Sequence, residues 1–249
     1  MNEPREPREP RDLVIAIDGP SGAGKGTLAR AVAAALGYDH VDTGAMYRAV
    51  AWKALHDGLP LHDDSQISAM AARAVLESGH GRVVIDGHDV TRAIRTPEID
   101  KAAASVARLR GVREILVARQ RKMGESRRVV MEGRDIGSVV FPDADVKVYL
   151  DASAEERARR RAGDPAHTGG QQGTLAGVQS DLQERDKSDS ERPVAPLTLA
   201  RDAVYIDTTG MPVAAVVETV MGIVREKLRR ELRTKNEELR TDRTKNGPN

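Results

Sequence analysis

Lys25 closes the run Gly19-Pro-Ser-Gly-Ala-Gly24-Lys25, in which two glycines bracket four residues and a lysine follows at once. That spacing suits one task. Bare glycine amides wrap phosphate oxygens, and the lysine ammonium reaches the β and γ oxygens of a nucleotide. Val14 to Asp18, just before it, reads as a strand, and the run to Val32, just after it, reads as a helix whose positive end points at the same anion. Gly19, Pro20, Ser21, Gly22, Ala23, Gly24, Lys25 and Gly26 are therefore candidate nucleotide-binding residues. Gly26 follows the lysine, so Thr27 comes one place later than the usual Ser or Thr that meets Mg²⁺. Thr27 is the candidate metal-side ligand, with an ion carried by the nucleotide.

A second group of residues has the chemistry to hold another phosphate. In "DTGAMYRAVAW", Thr43 is expected to cap a helix and Tyr47 and Arg48 lie within a turn of it. A plain N-cap would account for Thr43 equally well. "VVMEGRDIG" sets Gly133, Arg134 and Asp135 just beyond an apolar strand, where ligands bind in open parallel sheets. Arg157, Arg159, Arg160 and Arg161 precede a Gly-rich stretch, Ala162 to Gly173, that reads as a mobile flap. At least two of these four are expected to be solvated, with Glu155 and Glu156 as partners. Arg185, Asp189 and Arg192 follow the flap at spacings of four and three, which predicts one helix face for all of them.

Transfer between two phosphates gathers negative charge around an in-line transition state, so positioning and charge neutralisation carry the reaction. Guanidinium groups suit that work because they pair bidentately with phosphate and stay charged. A phosphate monoester, with a second pKa near ~6, is nucleophilic at neutral pH without a dedicated base. Arginines without an obvious carboxylate base therefore favour a phosphate acceptor over a sugar hydroxyl.

The elements that must position these groups are legible as alternation. "LVIAID", "DHVD", "RVVME", "VKVYLD" and "AVYID" are short β-rich runs separated by helix-length stretches of alanine, leucine and charge, which predicts an α/β fold with a parallel sheet between two layers of helices. Between about Asp63 and Asp100, "SQISAMAARAVLES" reads as a helix and "GRVVIDGHDVTRAI" as two short strands around a glycine turn, a small α+β insertion. The opening "MNEPREPREPRD" is Pro-rich and expected to be a disordered tail. The far end, from about residue 229, reads as a helix fraying into a polar tail.

The 249 residues carry 39 Lys plus Arg against 38 Asp plus Glu. That near-neutral balance gives no support to a general nucleic-acid binder. One Trp, one Phe and four Tyr are too few for a base-stacking platform. The absence of cysteine excludes disulfides, thiolate zinc sites and cysteine nucleophiles, and it fits a reducing compartment. No run approaches the length of a membrane span and the N-terminus has no apolar signal core, so the expectation is a cytoplasmic protein with no membrane partner.

Taken in order, "IDGPSGAGKGT", "DTGAMYRAV", "GHDVTRAIRTPEID", "GVREILVARQR", "EGRDIGSVVFPDADVKVYLDASAEERARRR", "ERDKSDSERPVAPL" and "VYIDTTGMPV" resemble the bacterial cytidylate kinases, a branch of the P-loop nucleoside monophosphate kinases. The resemblance runs from about Leu13 to Leu228. It implies ATP as donor with Mg²⁺, CMP or dCMP as acceptor, and a monomer. It further implies that Arg48 and Arg134 hold the acceptor phosphate and that Arg113 and Asp135 read cytosine. Tyr47, Arg185 and Asp189 would lie at the ribose, with Arg192 beside the transferring phosphoryl group. Lys25, Arg134, Arg185 and Arg192 would be the catalytic set, and Arg157 would join the loop at the nucleotide.

Two positions depart from the family pattern. Ala104 stands where a base-contacting serine is frequent, with Ser105 beside it as the candidate replacement; Glu132 stands where some members have Asp. The expected organisation is a core of residues 13–62, 101–156 and 193–228, a monophosphate-binding insertion at 63–100 and a short lid with flanking helices at 157–192. A kinase for UMP or a small hydroxyl acceptor, or a nucleotide-sensing module without turnover, remain as competing readings of the loop.

Overall fold

In the computed structural model, residues 13–79, 81–125, 127–164 and 174–245 are described. The expected N-terminal tail and most of the expected flap lie outside them.

Along the chain the elements run β1 (Val14–Asp18), α1 (Lys25–Leu36), β2 (Asp39–Asp42), α2 (Thr43–His56), α3 (Asp64–Arg73), β3 (Leu76–Gly79), β4 (Arg82–Ile85), β5 (His88–Asp89), α4 (Pro97–Val106) and α5 (Arg110–Met123). They continue with β6 (Val129–Gly133), β7 (Val146–Asp151), α6 (Ala154–Ala162), α7 (Leu175–Ser190), β8 (Val204–Asp207) and α8 (Val213–Lys245).

The five runs expected to be strands form one five-stranded sheet in the order β2-β6-β1-β7-β8, with every pairing parallel. β1 is central and buried along its whole length, which is why its sequence is apolar on both faces. Its alternate side chains feed two cores. Val14 and Ala16 pack with α2, α4 and α5 on one side, while Leu13, Ile15 and Ile17 pack with α1 and α8 on the other.

The insertion carries one element more than its sequence suggested. The helix expected through Ser78 stops at Arg73, because Ala74 turns extended and Leu76–Gly79 pairs antiparallel with β4. The Asp86 carboxylate accepts from Val75 N at 2.8 Å and staples that corner. The resulting three-stranded sheet buries Val83 and Ile85 in the same core as α2 and β6, so the insertion leans on the main sheet instead of building a core of its own.

The C-terminal stretch from residue 229, expected to begin as a helix, continues α8 to Lys245. Leu, Arg, Glu and Lys are strong helix formers, and Glu226 and Arg230 pair one turn apart.

Candidate active site

A cleft of about 650 Å³ opens along the C-terminal ends of β1, β2, β6 and β7. The glycine-rich loop forms one end of it. Gly19 has φ +145° and a side chain there would sit 2.0 Å from the Leu150 carbonyl oxygen, so only glycine lets the loop lie flat on β7. Gly22 and Gly24 also hold positive φ, and α1 opens on Gly24 without a side-chain cap. Its first amides have no side-chain acceptor of their own, as an anion cradle requires.

Lys25 lies buried in this loop with Nζ donating to Pro20 O at 2.7 Å. Burial, helped by the nearby Arg134 guanidinium, brings its pKa down to about 7. Below it, Asp18 ends β1 and accepts from Ile136 N at 2.8 Å and Gly137 N at 2.7 Å. Burial outweighs those two bonds and raises its pKa to about 6. Asp18 thus ties the turn after β6, which carries Arg134 and Asp135, to the strand that feeds the loop. Asp18 is, like Arg134 and Asp135, a charge at the end of an apolar strand, and that is the signal in the sequence that marks it although it is not among the candidates named above.

The arginines of α6 divide differently from expectation. Arg157 does not face the cleft: it is buried behind the loop, donating to Ala152 O at 3.1 Å and Ser21 O at 3.2 Å and pairing with Asp186. It braces the loop's outer wall, so its expected place at the nucleotide is corrected. Arg160 lines the cleft instead, donating to Thr208 Oγ1 at 2.9 Å, Thr208 O at 2.7 Å and Ala23 O at 3.3 Å. Arg159 is solvated and paired with Glu156, as expected for part of that cluster.

At the other end of the cleft, Thr43 does not cap α2. The cap is Asp42, one residue earlier, whose carboxylate accepts from Ala45 N at 2.8 Å. Thr43 is the first helical residue and donates its hydroxyl to Glu132 O at 2.7 Å, pinning α2 to β6. The other Asp42 oxygen meets Arg48 Nη2 at 3.0 Å and Arg95 Nη2 at 3.5 Å. Burial would raise the Asp42 pKa, but these guanidinium groups drive it well below the usual carboxylate range.

Arg134 Nε donates to Asp189 Oδ2 at 2.8 Å, joining the end of β6 to α7. Burial opposes ionisation of Asp189, yet Arg134 and Arg185 hold its pKa low. Asp135 lies between two buried guanidinium groups, hydrogen-bonded to Arg113 Nη2 and 3.4 Å from Arg192 Nη2. Arg113 also lies over the Tyr47 ring at 5.6 Å. Burial raises the Tyr47 pKa to about 12, and its hydroxyl has no partner among the described residues. Arg192 is not on the face of α7 with Arg185 and Asp189, because α7 ends at Ser190; the chain turns there, with Arg192 Nε donating to Ala195 O.

Ser105 is a second correction. It is exposed on α4, with its hydroxyl donating to Lys101 O at 3.3 Å, while Ala104 lines the cleft. One helical residue turns a side chain by ~100°, so a neighbour in sequence is no substitute in space.

The cleft therefore brings together Lys25, Thr27, Thr43, Tyr47, Arg48, Arg134, Asp135, Arg185, Asp189 and Arg192, with Arg113 standing behind Asp135. It also holds Arg160 and Arg161 of the arginine cluster before the expected flap, and it adds Arg95, which the sequence had not singled out. Its outer wall at the loop end is apolar, formed by Met211, Val213 and Val216, a suitable bed for a flat base.

For Mg²⁺ the fit is permissive. Thr27 is exposed in the cleft, and a side chain added at Gly26 would lie 3.1 Å from Glu132 Oε1, which places that carboxylate against the start of α1. His40 Nε2 holds the same oxygen at 2.9 Å. No cluster of three or more His, Cys, Asp or Glu suited to a metal occurs among the described residues. One carboxylate and one hydroxyl beside a phosphate cradle suit an ion that keeps its waters and arrives on a nucleotide.

The sequence model of the cytidylate kinase family matches residues 15–226. A cytidylate kinase of Solibacter usitatus is 48% identical over 222 residues, covering 87% of this chain and 94% of that one. One from Desulforamulus reducens is 50% identical over 210 residues, covering 83% and 94%. A bifunctional pantoate ligase/cytidylate kinase of a Synechococcus strain is 45% identical over 234 residues, which are 91% of this chain and 43% of that longer one.

Proposed function

This chain belongs to the cytidylate kinase family, and from that premise we propose that it transfers the γ-phosphoryl group of ATP to CMP or dCMP, giving ADP and CDP or dCDP. One observation carries the reading: a glycine-rich loop with Lys25 and an arginine-lined pocket floored by the buried Asp135–Arg113 pair share a single cleft.

ATP lies with its phosphates on the loop amides, its base on the apolar wall and Arg160 at its flank. Lys25 releases Pro20 O and reaches the β and γ oxygens. CMP enters at the opposite end, its phosphate on Arg48 and Arg134, its ribose by Asp189, Arg185 and Tyr47, and its cytosine against Asp135 and Arg113. An oxygen of the CMP phosphate attacks the γ-phosphorus in line as the bond to the β–γ bridging oxygen breaks, and ADP leaves with that oxygen. Arg192 and Arg185 neutralise the charge that builds on the equatorial oxygens. Thr27 and Glu132 would hold Mg²⁺ from the protein side, where it would further neutralise charge on the donor phosphates.

The base-reading role rests on polarity. Asp135 offers acceptors and Arg113 offers donors, which match the amino group and the ring nitrogen–carbonyl edge of cytosine. UMP presents a carbonyl where CMP has its amino group, and a buried carboxylate rejects it. The same reading implies a cytoplasmic monomer that meets no nucleic acid.

ADP release measured with ATP and Mg²⁺ against CMP, dCMP, UMP, AMP and GMP at equal concentration tests this directly. Preference for CMP and dCMP is expected. Preference for UMP or AMP would overturn the roles of Asp135 and Arg113, and no turnover with any of the five would overturn the enzymatic reading.

A further inference from the structure

Asp100 lies in the first turn of α4, whose Ala103 and Ala104, with Ala107 just past its end, line the acceptor end of the cleft. It is 9% exposed. A carboxylate so removed from water needs counter-charges, and it has them from two separate helices: Oδ1 lies 2.9 Å from Arg185 Nη1 on α7, and Oδ2 accepts from Arg161 Nη2 on α6. Burial would raise its pKa, but Arg185, Arg161 and then Arg48 hold it below the ordinary value.

The guanidinium groups here crowd one another. Burial lowers the Arg161 pKa, and Arg185 and Arg48 push it down further, with Asp100 opposing them. Burial first, and then Arg134 and Arg185, depress the Lys25 pKa. Like charges packed this closely spring apart unless a fixed anion sits among them. Asp100 is such an anion, and it occupies only one nitrogen of Arg185. The Nε of Arg185 is buried with no partner among the described residues, so the rest of that guanidinium stays available to a substrate.

On the reading that the cleft binds CMP, we infer that Asp100 is a positioning residue, which holds Arg185 and Arg161 in the geometry that receives the acceptor nucleotide. It touches no reacting atom. Its ion pairs fix the angle at which α7 presents Arg185, so that acceptor binding does not have to order that arginine.

The test compares wild type, Asp100→Asn, Asp100→Glu, Arg185→Ala and the Asp100→Asn/Arg185→Ala double variant. Asp100→Asn keeps size and loses charge, and it raises KM for CMP about tenfold while KM for ATP stays within about twofold. Asp100→Glu recovers most of the loss. In the Arg185→Ala background the Asn substitution raises KM by clearly less than it does in wild type, because only its route through Arg161 remains. Hydrogen exchange over residues 175–190, measured without nucleotide, rises in Asp100→Asn while exchange in β1 and β6 does not.

An unchanged or lowered KM for CMP in Asp100→Asn would overturn the inference, as would a full effect persisting without Arg185. Exchange rising across the whole chain would overturn it in favour of a general stabilising role. Should wild type fail to turn over CMP, it is the enzymatic reading that falls, and the nucleotide-free exchange experiment decides Asp100 alone: no change over 175–190 rejects it.

Discussion

Lys25 Nζ and the carbonyl oxygen of Pro20 are 2.7 Å apart, so the ammonium is hydrogen-bonded back to its own loop. The lysine thereby stays in the cradle while its burial and the neighbouring guanidinium groups depress its pKa to about 7. Triphosphate binding favours the charged lysine and takes up a proton above that pH. ATP affinity therefore falls as pH rises from 7 to 9, by up to about tenfold per unit. Titration calorimetry in buffers of different ionisation heat measures the proton uptake, and Lys25→Ala abolishes it along with turnover. A pH-independent affinity in wild type would place the lysine pKa outside this range.

Asp18 makes the opposite kind of prediction, one about stability. Its folded pKa of about 6 lies above its ordinary 3.8. A carboxylate raised on folding stabilises the fold when protonated, and that contribution is lost as pH rises from about 4 through 6. Two units correspond to roughly 3 kcal/mol. Asp18→Asn, which cannot titrate, therefore gains in Tm relative to wild type between pH 4 and pH 7. A Tm difference that is flat across that range would show that Asp18 titrates normally.

Gly19→Ala tests the seating of the loop on β7. The added methyl would meet the Leu150 carbonyl at 2.0 Å in a backbone conformation with φ +145°. Neither atom belongs to a movable side chain. The variant loses at least about 3 kcal/mol, a Tm drop of roughly 6–12 °C in calorimetry. A Tm within 2 °C of wild type, roughly the shift of a single kcal/mol, would mean that the loop does not rest on β7 in solution.

Asp135→Asn separates recognition from folding better than alanine does, because it keeps two polar atoms between Arg113 and Arg192. The ratio of kcat/KM for CMP over UMP falls at least about tenfold. Stability also falls, since two guanidinium groups with side chains only 3% exposed lose their counter-charge. An unchanged CMP/UMP ratio would remove Asp135 from base reading.

Ser105 and Ala104 make a paired prediction. Ser105→Ala removes an exposed hydroxyl bonded to its own helix and leaves KM for CMP unaltered. Ala104→Ser puts a hydroxyl into the cleft and lowers KM for CMP about 2- to 10-fold. The reverse pattern would mean that α4 is rotated when the nucleotide is bound.

Periodicity and turn chemistry, read from the residues alone, were sufficient for the sheet strands, the glycine-rich loop between β1 and α1, and the charged pair at the end of β6. These are local properties. An apolar run, a glycine spacing and a charge after a strand each act over a few residues, and the parallel sheet follows from their alternation. The ordered motifs were likewise enough to place the chain among cytidylate kinases.

Partnership was decided elsewhere. Nothing near Arg157 in sequence says that it turns inward to Ser21 and Asp186 while Arg160 takes the cleft. Ser105 and Ala104 differ by one residue and face opposite ways. Asp100 meets Arg161 and Arg185 across 61 and 85 residues, a meeting made where α7 packs against both α4 and α6. Which guanidinium faces a phosphate and which is spent on a carboxylate depends on burial and on charges brought from distant segments, and only the tertiary structure sets those distances.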